Sequence, residues 1–459
     1  MARSLHIAAI GPLVVRMSGR QDRGVTQTEQ PSTTSPVAPR VHPAWWVALV
    51  AFLVLIGAAG FRATPGVLID PLHDEFGWSR GSISFAVSVN LLLYGFTAPF
   101  ATALMERYGI RRVVCGALVL ISTGSGLTVW MDSQWQLVLC WGVLVGLGAG
   151  SMALAFSATI AGRWFVARRG LVTGVLTAGG AAGNLVFLPV VGLLVEGPGW
   201  RAAAVAVSLC ALAVVPLVIW LLRDRPEDLG VRPYGAGDDY VTPPEAPPGA
   251  ARRAVGALVS AARTRVFWLL AASFAICGAS TNGLIGTHFV PGAHEHGMPV
   301  PVAASLLALI GVFDLIGTVF SGWLTDRYDP RRLLAVYYAL RGLSLLFLPA
   351  LFADSVHPSM LFFVIFYGLD WVATVPPTIA LCREHFGEEG GVVFGWVLAS
   401  HQLGAAVVAF GAGLIRDVTG SYDLAWTSAG VLCAVAAVSV MLVGGRGGKN
   451  LLRAEPSSS

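Results

Sequence analysis

TALMERYGIRR, residues 102–112, and GWLTDRYDPRR, residues 322–332, are two versions of one charged loop. Each sits between two long apolar runs. Glu106, Arg107, Arg111 and Arg112 of the first copy are echoed 220 positions later by Asp326, Arg327, Arg331 and Arg332, and Arg163 and Arg383 keep the same offset. A polar signal repeated inside an otherwise apolar chain marks a duplicated membrane protein, and duplicated halves point to a transporter.

Composition agrees. Hydrophobic residues make up 55% of the 459 residues and charged residues 12%, against about 25% charge in an ordinary soluble domain. Crossing a bilayer takes about 20 apolar residues as a helix. Six such runs are read near 44–69, 81–103, 112–130, 136–160, 170–194 and 201–222, and six more near 266–290, 302–325, 331–352, 359–382, 391–414 and 424–444. The expected fold class is an all-α membrane protein, with twelve transmembrane helices in two six-helix bundles related by pseudo-symmetry.

Basic residues accumulate in cytoplasmic loops. Alternating the runs places twenty-five of the thirty basic residues on one side and three, Arg80, Arg201 and Arg416, on the other. Both termini are therefore expected in the cytoplasm. The net charge of +4 describes this topology and calls for no nucleic-acid partner, because the charges are scattered loop by loop. Residues 1–43 have the composition of a disordered tail, preferred to a signal peptide because no convincing cleavage site precedes the first run. Residues 223–265, with PPEAPP and seven arginines, read as a linker ending in a surface helix from Arg252 to Arg265. That divides the chain into a bundle over 44–222, the linker, a bundle over 266–445 and a tail over 446–459. Cys115, Cys140, Cys210, Cys277, Cys382 and Cys433 lie in or at the ends of apolar runs with no close pair, so neither a metal nor a disulfide is expected. The ridge Gly142, Gly146, Gly150 and the group Gly179, Gly180, Gly183 are read as close-packing surfaces.

The doubled loop resembles the signature of the major facilitator superfamily, G-x-x-x-D-R-x-G-x-R-R, which joins the second and third helices of each half. Gly322, Asp326, Arg327, Arg331 and Arg332 match it, with Asp329 in place of the inner Gly; the first copy keeps Arg107, Gly109, Arg111 and Arg112, with Thr102 and Glu106 substituted. A carboxylate among guanidiniums at a helix junction can clasp neighbouring helix ends and gate a rocking motion. RWFVARRG (163–170) and DEFGWSR (74–80) are similar to the monocarboxylate-porter and oxalate:formate-antiporter branch, whose members carry small organic anions. Where that branch commonly has an Arg in the eighth helix this chain has Thr318, and where its antiporters often have a Lys in the eleventh it has His401.

Ionisable residues inside a membrane helix cost about 2.5 to 3.5 kcal/mol each on insertion scales, so they mark function by default. Arg62, Asp314, Arg341, Asp370 and His401 fall inside the runs, and the formal charges of the four that are not histidine cancel. Asp314 or Asp370 is a candidate proton site, with His401 a second. Arg62 and protonated His401 would anchor an anionic substrate, and Arg341 would either pair with one of the acids or serve the site. Asn90, Tyr94, Asn184, Asn282 and His288 lie on helices that the resemblance turns toward a central path, and each can hydrogen-bond a substrate. Pro65, Pro189, Pro376 and Pro377 are expected to kink helices 1, 5 and 10.

The reading is a secondary transporter of the bacterial inner membrane, taking up a small organic anion with a proton by alternating access. A drug or metabolite exporter and a non-transporting sensor on the same body are the alternatives. No nucleotide-binding loop or nucleophile–base set stands out, so no enzyme activity, cofactor or metal is expected. The partners are the substrate, H+ and the bilayer, and the chain is expected to act as a monomer.

Overall fold

Backbone N–H and C=O groups in hydrocarbon must pair within their own segment, and an apolar run does so as a helix. The computed structural model describes residues 41–237, 240 and 249–444, apart from the side chains of 61–63, 153–155, 177 and 181. The expected N-terminal tail, the PPEAPP segment, the C-terminal tail and the side chain of Arg62 lie outside the described residues.

In the first half the helices are α1 (Pro43–Phe76), α2 (Arg80–Tyr108), α3 (Ile110–Leu127), α4 (Gln134–Trp164), α5 (Arg169–Glu196) and α6 (Trp200–Leu221). A short helix, α7 (Ala250–Ala261), precedes the second half. That half holds α8 (Arg265–Glu295), α9 (Val300–Thr325), α10 (Pro330–Leu351), α11 (Pro358–Asp370), α12 (Val375–Phe386), α13 (Gly390–Thr419) and α14 (Asp423–Met441). Eleven apolar stretches are long enough to cross a membrane among the described residues, but one of them, Pro358–Thr419, runs for 62 residues. At about 1.5 Å per residue it is far too long for one crossing. It turns back at Gly387–Glu389, where Gly387 has φ 58°, so α11 with α12 forms one pass and α13 the next. Twelve crossings result. Each starts within two residues of the expected run, and α1 continues seven residues past its expected end at 69.

Local chemistry sets the ends. His42 accepts the N–H of Ala44 at the start of α1, Ser79 caps α2, Thr264 caps α8 and Asp329 caps α10. Gly77 and Gly109 close α1 and α2 with positive φ. The glycine ridge packs as expected. A Cβ on Gly146 would stand 2.9 Å from the carbonyl oxygen of Asn90, and one on Gly150 2.9 Å from that of Tyr94, so α4 rests directly on the backbone of α2.

The two halves meet unequally at the two ends. At the arginine-poor end they share one apolar core, in which Val67, Leu188 and Val191 of the first half join Phe289, Ala303 and Leu307 of the second. Polar ties reinforce it. Asp417, on α13, accepts the backbone N–H groups of Arg80 and Gly81 at 3.0 and 2.8 Å, capping α2 from the opposite half. Glu196 accepts the N–H of Val300 at 3.0 Å across the same junction, and Arg80, paired within its own half to Asp70 at 3.0 Å, stands 4.0 Å from Glu295, which is paired within the second half to Arg416. At the arginine-rich end the hydrogen-bonded junctions described below stay inside one half each. The seam between α2 and α13 runs between these ends, with the Ser88 hydroxyl donating to the Ala406 carbonyl at 2.7 Å.

Asp417→Ala removes an anionic cap worth about 1 kcal/mol. It should shift the halves about fivefold toward opening at this end. Spin-label distances across the arginine-poor end read the shift, and unchanged distances would show that Asp417 is not a latch.

Candidate functional site

The tenth crossing is broken. Pro376 and Pro377 lack the N–H donors that a continuous helix would give to the carbonyls of Val372 and Ala373. α11 therefore stops at Asp370 and α12 starts at Val375, leaving a four-residue turn, 371–374. The sequence led us to expect a kink here, and the structure makes it an interruption.

Freed backbone groups in a membrane interior need partners, and those at this turn are satisfied from other helices. Arg341, on α10, is 0% exposed. Its Nε donates to Asp370 Oδ2 at 2.6 Å, its Nη2 to the carbonyls of Asp370 and Trp371 at 2.5 and 3.2 Å, and its Nη1 to Cys277 Sγ at 2.9 Å. Asp314, on α9, works from the other direction: its Oδ1 accepts the N–H of Val372 at 3.1 Å and the hydroxyl of Thr318 at 3.0 Å. Ser321 donates to the Ala373 carbonyl at 2.5 Å, and the Val372 carbonyl accepts the N–H of Val375 at 2.9 Å. α9 and α10 thus hold the turn from two sides.

Of the two acids offered to Arg341 by the sequence, the guanidinium takes Asp370. Asp314 is held by neutral donors. Asp370 itself is 7% exposed, and its Oδ1 has no hydrogen-bond partner among the described residues. Two carboxylates and one guanidinium give this cluster a formal charge of −1 when all three are ionised.

The remaining candidates occupy separate places. His401, on α13, packs its ring 5.0 Å from that of Phe274 and has Nε2 3.5 Å from Thr281 Oγ1; its Nδ1 has no partner among the described residues. His288, fully buried on α8, is hydrogen-bonded through Nε2 to the Ala409 carbonyl at 2.8 Å and lies against Tyr422. Asn90 donates to the Trp141 carbonyl at 2.8 Å, tying α2 to a π-helical turn of α4, Val138–Val145. Asn282 lies in the matching kind of turn in α8, Ala279–Ile285, where its carbonyl accepts the Thr287 hydroxyl. Tyr94 is buried on α2, and Asn184 is half-buried on α5 with an Oδ1 that has no hydrogen-bond partner among the described residues. Arg62 sits on the backbone of α1, and its side chain is outside the described residues.

Sequence reasoning missed Gln402, Cys277 and Tyr367. Gln402 is buried beside His401 and packs against Gly95 of α2. The Tyr367 hydroxyl donates to the Ser280 carbonyl at 2.8 Å. Gln402 could have been found from its place next to His401 on one crossing, whereas Cys277 and Tyr367 lie on different crossings from Arg341 and no spacing announced them. Among the described residues no cluster of His, Cys, Asp and Glu suits a metal.

The doubled loops also differ from expectation in one respect. Glu106 and Asp326 are both exposed, and the hydrogen-bonded carboxylates at the two junctions are instead Asp224 and Asp329. Asp224 accepts the N–H of Arg111 at 2.9 Å, and its carbonyl accepts Arg163 Nη1 at 3.3 Å. Asp329 pairs with Arg331 at 2.6 Å while Arg331 Nη1 donates to the Val443 carbonyl at 3.1 Å, joining the start of α10 to the residues after α14. The Arg331 guanidinium holds the Asp329 carboxyl below the usual range. Arg327 lies over the Trp323 ring at 4.1 Å, Arg107 over Tyr108 at 5.3 Å, and Arg112, Arg332 and Gly322 lie on the same short loops and the helix ends flanking them.

Twelve crossings in two halves, with a broken helix and buried charge inside one of them, are the architecture of a multi-pass membrane transporter. The chain belongs to the Major Facilitator Superfamily, whose sequence profile matches residues 47–407 and 279–456. It is 26% identical over 402 residues to the uncharacterized MFS-type transporter YcxA of Bacillus subtilis (strain 168), covering 84% of this chain and 91% of that one. It is 28% identical over 394 residues to monocarboxylate transporter 13 of Bos taurus, covering 84% and 86%, and 28% identical over 395 residues to monocarboxylate transporter 11 of Mus musculus, covering 83% and 82%. Among solved structures, a D-xylose-proton symporter superposes with a TM-score of 0.68 at 15% identity over 88% of this chain and 98% of that one. The inward open conformation of the xylose transporter XylE from E. coli superposes at 0.66 with 15% identity, over 88% and 96%. These two establish the fold alone.

Proposed function

We propose that this transporter takes up a small organic anion of the monocarboxylate class together with a proton, by rocking its two halves about a central path. The observation that carries the reading is Asp314: a carboxyl inside a membrane helix, held among the described residues by a hydroxyl and an amide N–H, beside an acid that already has its own guanidinium. Such a group can accept a proton without breaking an ion pair. The proton brings the cluster of Asp314, Asp370 and Arg341 to neutrality, the state that low-dielectric surroundings favour. The relatives named monocarboxylate transporters support the substrate class.

Charge accounting favours the same pairing. Moving one elementary charge across a membrane potential is worth about 2.3 kcal/mol per 100 mV, so a monoanion entering a cell that is negative inside works against the field. A proton travelling with it cancels that cost. In this reading the arginine-rich end faces the cytoplasm of a bacterial inner membrane, with both termini inside. The ties at the arginine-poor end then describe a state closed to the outside.

Purified protein in liposomes tests it. An inward proton gradient should drive labelled lactate or pyruvate above its external concentration, and a protonophore should abolish the accumulation. Uptake that ignores the gradient would sink the coupling, and failure of both acids to enter would sink the substrate class.

A further inference from the structure

We propose that α7 is a docking surface for the acidic headgroups of the bilayer, independent of the substrate reading above. The helix divides into three sectors. Ala254, Ala257 and Ala261, at helical spacing, are buried against the protein, where α7 touches both α2 and α13. The Trp396 indole of α13 donates to the Ala254 carbonyl at 2.8 Å and meets Phe100 of α2 edge-on at 5.8 Å, so α7 lies across the seam between the halves.

Next to the buried sector is an exposed apolar one: Val255 and Val259 are 45% and 51% exposed. On the other flank stand Arg252, Arg253 and Ser260, all exposed, and Arg263 and Arg265 follow before the crossing begins. None of Arg252, Arg263 and Arg265 makes an ion pair with an acid among the described residues, and the sequence has no acidic residue between Glu245 and Glu295.

What covers this surface follows from where it is. α7 ends at Ala261 and the membrane helix α8 starts at Arg265, so less than one turn separates α7 from the bilayer. Trp268, 59% exposed on the first turn of α8, donates its indole N–H to the Ala262 carbonyl, fastening the end of α7 to the crossing at the depth where tryptophan prefers to sit. An apolar sector beside a basic one, in that position, matches the interface of an anionic membrane: the valines enter the acyl boundary and the arginines take phosphates. Because the buried sector spans the seam, headgroups bound there brace α2 against α13.

The test is lipid retention by the full chain. Extracted from vesicles of phosphatidylcholine with about 30% phosphatidylglycerol, the wild-type protein should keep phosphatidylglycerol in preference to phosphatidylcholine, as read by native mass spectrometry. The Arg252→Gln/Arg263→Gln/Arg265→Gln protein should lose that preference by about tenfold or more, since each surface arginine contributes severalfold. An Arg107→Gln/Arg112→Gln/Arg332→Gln protein, with the same loss of charge on the motif loops, should keep it. A lysine version of the α7 triple substitution should also keep it. No preference in the wild type, no loss in the α7 glutamine protein, or an equal loss in the loop protein would each overturn the proposal.

Discussion

Arg341→Met will destabilise the transporter by about 3–5 kcal/mol, the range measured when one partner of a buried ion pair is removed. The guanidinium is 0% exposed and serves four acceptors: a carboxylate oxygen, two carbonyls left free where α11 stops, and a cysteine sulfur. Methionine fills comparable volume and satisfies none of them. Asp370 would be left as an unpaired buried anion, and the carbonyls of Asp370 and Trp371 would lose their donor. Two companion substitutions separate charge from geometry. Arg341→Lys keeps the charge without the planar fork and should recover only part of the loss, because one ammonium cannot reach three oxygens in that arrangement. Arg341→Met with Asp370→Leu removes both charges and should be more stable than Arg341→Met alone. Unfolding of the detergent-solubilised protein by heat or denaturant measures all three. If Arg341→Met unfolds like the wild type, the guanidinium is not what holds the break.

Asp314→Asn will abolish accumulation driven by a proton gradient, by about tenfold or more, while exchange of substrate across the membrane continues. Asparagine keeps a carbonyl oxygen in place for the Thr318 hydroxyl and the Val372 N–H, so the turn stays supported. It cannot take up a proton. Asp370→Asn is a weaker test of coupling, because it also breaks the 2.6 Å pair with Arg341 and its effect mixes stability with transport. Parallel assays of gradient-driven uptake and of counterflow in liposomes distinguish the outcomes. Equal loss of both activities in Asp314→Asn would assign Asp314 to binding or structure, and full retention of driven uptake would move the proton site elsewhere.

Much of the architecture was legible because its signals are local. Apolar runs of membrane length and basic residues in alternate loops are properties of short windows, and the structure starts every crossing within two residues of its run. The glycines of α4 were read as packing surface from their spacing alone, and they do rest on α2. The 62-residue stretch from Pro358 to Thr419 was divided correctly because two apolar runs were visible in it.

What the sequence left open depends on rotation and on distant partners. Whether Arg341 meets Asp314 or Asp370 is a question of which faces α9, α10 and α11 turn toward one another, and hydropathy carries no such information where all faces are apolar. Arg80 and Asp417 are 337 positions apart, so nothing near either announced the cap across the halves. The clasps at the doubled loops were assigned to Glu106 and Asp326 because those acids stand inside the motif. The residues that reach the neighbouring helix, Asp224 and Arg331, are fixed by where α6 and α14 end. The proline pair announced a disturbance in the tenth crossing, but its extent follows from hydrogen-bond partners that α9 and α10 supply.

That interruption has a mechanical consequence. A continuous rod transmits any tilt from one end to the other, whereas α11 and α12 are joined by four residues whose geometry is set by side chains from neighbouring rods. The joint between the Pro358 and Phe386 ends is therefore braced from outside its own backbone ladder, so any displacement of α9 or α10 reaches it directly through Asp314, Ser321 and Arg341.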